Sequence, residues 1–220
     1  MKHRPGFRAA GFALLFSVVA CTAGAQPVET GTFRPPDLVE LIRLDSTLRL
    51  DIRYATANNF MHRPMYDQAR AFLQRPAAEA LLRVHRKLKP LGYGLLIFDG
   101  YRPWSVTKMF WDETPADRHG FVADPKKGSR HNRGCAVDLS MTRLATGREV
   151  IMPSPYDAFT RKASPAFRGG TRGQRARRDL LRRMMESEGF KVDPGEWWHF
   201  DYRDWKHYRI LNIPFGELRE

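Results

Sequence analysis

Cysteine is almost absent from this 220-residue chain, which has only Cys21 and Cys135. Two such distant thiols offer neither a disulfide framework nor a closed, cysteine-rich structural metal site. There is no internal repeat and no long low-complexity tract, which excludes solenoids and disordered scaffolds. Only one long apolar run occurs, Ala9 to Ala20. It is shorter than the roughly 20 residues that span a bilayer. Acidic residues are also few: 24 Asp and Glu face 37 Lys and Arg, for a formal charge of +13.

The apolar run sits behind Lys2, Arg4 and Arg8 and ends near Ala23-Gly24-Ala25. A basic start, a short apolar stretch and an A-x-A site describe a secretory leader. The expected division is therefore a signal peptide over 1–25 and one folded domain over 26–220, exported to the periplasm. Val18-Val19-Ala20-Cys21 also resembles a lipoprotein processing box, which would tether the protein to the envelope through Cys21. Cleavage after Ala25 leaves one thiol and a charge of +10, since residues 1–25 hold three basic side chains and no acid. A basic balance usually points to nucleic acid. Export argues against that partner, and a merely soluble basic surface is expected instead.

What remains is ordinary globular composition, 42% hydrophobic and 28% charged, at a length that supports one core. Leu38 to Tyr54 alternates as a strand with turns. Pro76 to Leu88 reads as an amphipathic helix, Gly94 to Phe98 as a buried strand and Trp104 to Trp111 as a helix. Cys135 to Met141 reads as a strand, Gln174 to Glu188 as a helix, and Glu196 to Tyr202 as a strand or turn. Mixed elements without a βαβ rhythm indicate an α+β domain, a central antiparallel sheet flanked by helices.

Two segments carry chemistry: Ser129-Arg130-His131-Asn132-Arg133-Gly134-Cys135-Ala136-Val137-Asp138 and Glu196-Trp197-Trp198-His199. They offer two histidines and two acids, the donors zinc uses in hydrolytic sites, where three protein ligands leave a fourth position open. Each residue has an ordinary reading as well. His131 suits a loop, Asp138 a strand end, and Glu196 with His199 a surface pair framed by core tryptophans. Four of them in two short segments, beside an isolated Asp99-Gly100-Tyr101-Arg102-Pro103 loop, point to a site. His62, His85, His119 and His207 lack such a context and read as surface or loop residues. Trp197 and Trp198 read as core that also walls the site, and the arginines of 175–183 as a solvated helix face.

The pattern S-x-H-x-x-G-x-A-x-D with E-x-x-H resembles the zinc D,D-peptidases of bacterial cell-wall metabolism. The segments Asp51 to Phe60, Asp99 to Pro103 and Glu196 to Phe200 are similar to its D-alanyl-D-alanine dipeptidase branch, over roughly Leu38 to Pro214. The resemblance implies a small α+β fold shared with the hedgehog signalling domain. It implies a zinc ion on His131, Asp138 and His199, Glu196 as general base, and Arg102 as the transition-state arginine. Tyr54 and Asp157 would hold the substrate's free amino group, and Ser129 would line the pocket. The implied activity is hydrolysis of the small dipeptide D-alanyl-D-alanine in wall turnover or scavenging. The alternative is a carboxypeptidase or endopeptidase acting on peptidoglycan stems. An ion pair with Asp99 is the competing role for Arg102.

Overall fold

The computed structural model describes residues 24–218. Most of the expected leader, Cys21 included, lies outside them. The elements run β1 (Leu38–Glu40), α1 (Leu41–Leu44), β2 (Arg49–Leu50), β3 (Phe72–Gln74), α2 (Arg75–Leu88), β4 (Tyr93–Asp99), α3 (Trp104–Glu113), β5 (Ala136–Arg143), α4 (Arg172–Glu186), β6 (Phe190–Val192) and β7 (His199–Tyr202). The α+β expectation holds. A five-stranded sheet in the order β2-β4-β5-β7-β6 forms the centre, and β1 pairs with β3 beside it. Among the described residues no helix is long and apolar enough to cross a membrane.

The antiparallel sheet has one departure, since β2 runs parallel to β4. A parallel neighbour needs a long crossover rather than a hairpin, and residues 51–92, including α2, supply it. The stretch Leu38 to Tyr54 is likewise not one strand. It breaks into β1, the single turn of α1, β2 and a 3₁₀ turn at Arg53–Ala55.

The helices follow local chemistry. Proline sits at the first turn of α2, and Ala77, Ala80, Leu81, Val84 and Leu88 make its buried stripe. A capping box between Thr171 and Gln174 opens α4, two residues earlier than hydrophobic periodicity suggests. Leu181 and Met185 are its buried apolar residues, and Arg178 is buried with them, donating to the Phe167 carbonyl. That face is therefore not purely solvated. His85 is also no surface residue: it is fully buried, with Nδ1 accepting from the Leu95 N–H at 3.1 Å. Burial holds its pKa below the ordinary histidine value.

Strand register sets up the site. Asp99 on β4 lies opposite Asp138 on β5, which lies opposite His199 on β7. Side chains alternate across a sheet, so Asp138, His199 and Asp201 share one face. Val137, Leu139 and Phe200 point to the other face, into the core. At Gly100 the chain passes so close to β3 that an added Cβ would lie 2.6 Å from the Phe72 carbonyl oxygen. Backbone cannot swing aside as a side chain can. Gly100→Ala should therefore destabilise the fold by about 1–3 kcal/mol, the usual cost of overpacking. Chemical denaturation checks this, and an unchanged midpoint would contradict it.

Candidate active site

The loop from Gly128 to Gly134 folds into a 3₁₀ turn at His131–Arg133, then turns into β5 at Gly134, whose φ of 66° favours glycine. Asn132 is the clasp. Its Oδ1 accepts from the Ser129 N–H at 2.7 Å, and its Nδ2 donates to the Arg102 carbonyl and to Thr107 Oγ1 at 2.9 and 2.8 Å. The Arg102 N–H donates to the His131 carbonyl at 3.1 Å. Two loops from distant parts of the chain are thereby locked side by side.

His131, Asp138 and His199 converge as a group able to hold a metal ion. His131 Nε2 is 3.1 Å from His199 Nδ1, and Asp138 Oδ1 lies 3.3 Å from the first and 3.0 Å from the second. A tetrahedral ion with bonds of about 2.0–2.1 Å has ligand–ligand edges of about 3.3 Å. The triangle is close to that size. The remaining ring nitrogens are also engaged: His131 Nδ1 with the Gly100 carbonyl at 2.7 Å, and His199 Nε2 with Asp201 Oδ1 at 3.0 Å. Protons on those outer nitrogens leave the inner lone pairs for a metal, the usual way outer partners orient histidine ligands. Burial pulls the His199 pKa down, but its hydrogen bonds to Asp138 and Asp201 outweigh that and hold it well above the ordinary value. A metal ion would displace the inner proton.

Glu196 lies on the turn entering β7, its Oε2 4.0 Å from His199 Nδ1. Burial pushes its carboxyl up to about 7, against the pull of His199. A nearby doubly charged ion would pull it back down. Arg102 is buried, with Nε and Nη2 bound to Asp99 Oδ2 at 3.0 and 2.7 Å. Its guanidinium sits 5.1 and 4.8 Å from the Tyr54 and Phe110 ring centres, with Nη2 4.0 Å from Asp138 Oδ2. The ion pair with Asp99 and the place in the site thus coexist, because the pair aims the charge.

Tyr54 Oη donates to Asp157 at 3.0 Å. Asp157 takes a left-handed φ of 54°, unusual for a residue with a Cβ. Burial, then the nearby charges of Asp138 and Glu196, push its carboxyl well above the usual range. These groups, with Ser129, line one cavity of about 240 Å³, whose apolar wall includes Phe60, Phe110, Phe121 and Phe159. Trp197 and Trp198 do not wall it. Both are buried in the core, where the Trp197 ring N–H donates to Ser154 Oγ.

Sequence reasoning missed Asp201 and Tyr156. Asp201 stands two residues beyond His199 on the same strand face, so strand alternation was a usable signal. Tyr156, whose Oη donates to Asp138 Oδ2 at 2.9 Å, left no such signal.

Two nitrogens and an oxygen facing a cavity, beside a carboxyl and a fixed guanidinium, suit a hydrolytic zinc site, and with the family match the chain is a zinc metallopeptidase. The chain belongs to the Peptidase_M15 family, D-ala-D-ala dipeptidase, whose model matches residues 36–215. It is 34% identical to a D-alanyl-D-alanine dipeptidase of Enterococcus faecium, over 71% of this chain and 87% of that protein. It is 30% identical to the protein of that name from Escherichia coli K12, over 82% of this chain and 92% of that one. A looser likeness joins it to the solved D,D-dipeptidase VanXYg in complex with a D-Ala-D-Ala phosphinate analog. There the identity is 22% and the TM-score 0.39, over 67% of this chain and 54% of that one.

The purified protein should hold about one zinc per chain, and His199→Ala should hold none after dialysis. Elemental analysis decides it, and full occupancy in the variant would contradict the triangle.

Proposed function

We propose that this zinc metallopeptidase hydrolyses D-alanyl-D-alanine to two D-alanines, with His131, Asp138 and His199 as the zinc ligands. The observation that carries the substrate reading is Asp157. It is an acid with a raised pKa, hydrogen-bonded to Tyr54, in the cavity that contains the metal ligands. An ammonium group is the partner such a carboxyl lacks. The cavity's volume also suits a dipeptide, falling below the roughly 300–1,000 Å³ typical of drug-sized ligand sites. The names of the family and of its relatives agree with that substrate.

A zinc ion held by His131, Asp138 and His199 would supply a water with a pKa of about 7 and would polarise the scissile carbonyl. Glu196 accepts the attacking water's proton and returns it to the departing amine. Arg102, fixed by Asp99, presents positive charge where the oxyanion develops. Tyr54 and Asp157 hold the substrate's ammonium, and Ser129 shapes the pocket beside His131. A surplus of acids makes this arrangement coherent. Asp138, Asp157, Asp193 and Glu196 line the cavity with Arg102 and Arg130, while Asp99 stands behind Arg102 and Asp201 behind His199. A metal ion and an ammonium group are cations that such a cavity suits.

The basic leader and A-x-A site support export to the periplasm, in wall turnover or scavenging. Cys21 offers a lipid tether if it is the processed residue. Gln26, first after the A-x-A site, donates to the Ile210 carbonyl at 2.8 Å.

Glu196→Gln should retain zinc and lose at least about 10²-fold in kcat, because an amide accepts no proton. Near wild-type turnover would move the base elsewhere. Substrate choice is read from kcat/KM for D-Ala-D-Ala, its N-acetyl form, L-Ala-L-Ala and a pentapeptide stem. Acetylation removes the ammonium and leaves Asp157 unpaired, a loss of about 1–3 kcal/mol or more, roughly tenfold to several-hundredfold. Equal cleavage of the blocked dipeptide, or preference for the stem, would replace the dipeptidase reading with the carboxypeptidase one.

A further inference from the structure

The two oxygens of Asp138 have different surroundings. Oδ1 completes the ligand triangle, 3.0 Å from His199 Nδ1 and 3.3 Å from His131 Nε2. Oδ2 accepts the Tyr156 hydroxyl at 2.9 Å and lies 4.0 Å from Arg102 Nη2. The Tyr156 ring is itself held, with its centre 4.6 Å from Phe98 and 5.4 Å from Trp198. The neighbouring Asp157, with its left-handed backbone, carries the carboxyl that Tyr54 binds.

We propose that Tyr156 is a positioning residue for the metal, its hydroxyl holding the outer oxygen of Asp138 so that only the inner oxygen faces the ion. A carboxylate free to rock presents both oxygens. The second would crowd the position that must stay open for water and the substrate carbonyl, or swing onto Arg102 and neutralise the charge meant for the oxyanion. A phenol is neutral at ordinary pH and donates one hydrogen bond without adding charge. Because Tyr156 and Asp157 are consecutive, one short loop fixes both the metal ligand and the proposed ammonium acceptor. The inference rests on the ligand assignment above, but not on the identity of the substrate.

Tyr156→Phe removes the hydroxyl and keeps the ring packing. Outer partners of metal ligands commonly govern 10–100-fold in metal affinity or activity, so zinc affinity, measured by chelator competition, should weaken about 10–100-fold. The cobalt-substituted variant should show weaker visible absorption than the cobalt-substituted wild type, as coordination number rises above four. Phe98→Leu loosens the ring packing without touching the hydroxyl and should leave both readouts at wild-type values. Melting of the metal-free proteins separates lost fold from lost positioning. Unchanged zinc affinity and an unchanged cobalt spectrum in Tyr156→Phe would overturn the inference, as would Phe98→Leu reproducing its effects. Absence of metal from the wild type would instead overturn the ligand assignment.

Discussion

The structure depends on a concentration of negative charge that the rest of the chain does not have. A strongly basic molecule gathers Asp138, Asp157, Asp193 and Glu196 around one small cavity, with Asp99 and Asp201 behind them. Asp99 is neutralised by Arg102 and further bound by the Tyr66 hydroxyl at 2.8 Å. Asp201 is spent on the outer nitrogen of His199. Asp138 sits between two histidines, while burial leaves Glu196 and Asp157 raised and available. Unpaired buried acids are costly, so the arrangement makes sense when cations complete it. A metal ion and, in the proposed reaction, the substrate's ammonium would be those cations.

The sheet and the loops divide the work of holding this charge. Register across β4, β5 and β7 fixes Asp99, Asp138 and His199 at one level. The loops then bring His131 and Arg102 to that level through Asn132 and the Gly100 carbonyl. Regular structure supplies precision, because a one-residue slip would turn Asp138 into the core. Irregular structure supplies reach, because no strand could also place Tyr54 and Asp157 over the same cavity. The close approach at Gly100 and the left-handed φ at Asp157 are where the backbone departs from ordinary geometry to do this.

The sequence disclosed the parts of this site that lie close together in the chain. His131 and Asp138 share one ten-residue segment, and Glu196 and His199 share a four-residue one, so their donor types are visible as patterns. Groups that orient them come from elsewhere. The Gly100 carbonyl is 31 residues from His131 and has no side-chain identity to read, and Tyr156 is 18 residues from Asp138. The strands and helices were legible wherever apolar periodicity was strong, as in α2 and β4. The parallel placement of β2 was not, because two residues of strand carry no signal of direction. His85 misled for a related reason: its burial is decided by Leu95 and Thr47, which its own neighbourhood in sequence does not reveal.

Backbone register and two locked loops bring two imidazoles and one carboxylate together as a candidate three-ligand zinc site. Zinc-edge X-ray absorption on the purified protein tests it most directly. Nitrogen and oxygen scatterers at about 2.0–2.1 Å are expected, with outer-shell features of two imidazoles. A sulfur scatterer at about 2.3 Å, which would implicate Cys135, or the signature of three or more imidazoles, would contradict it.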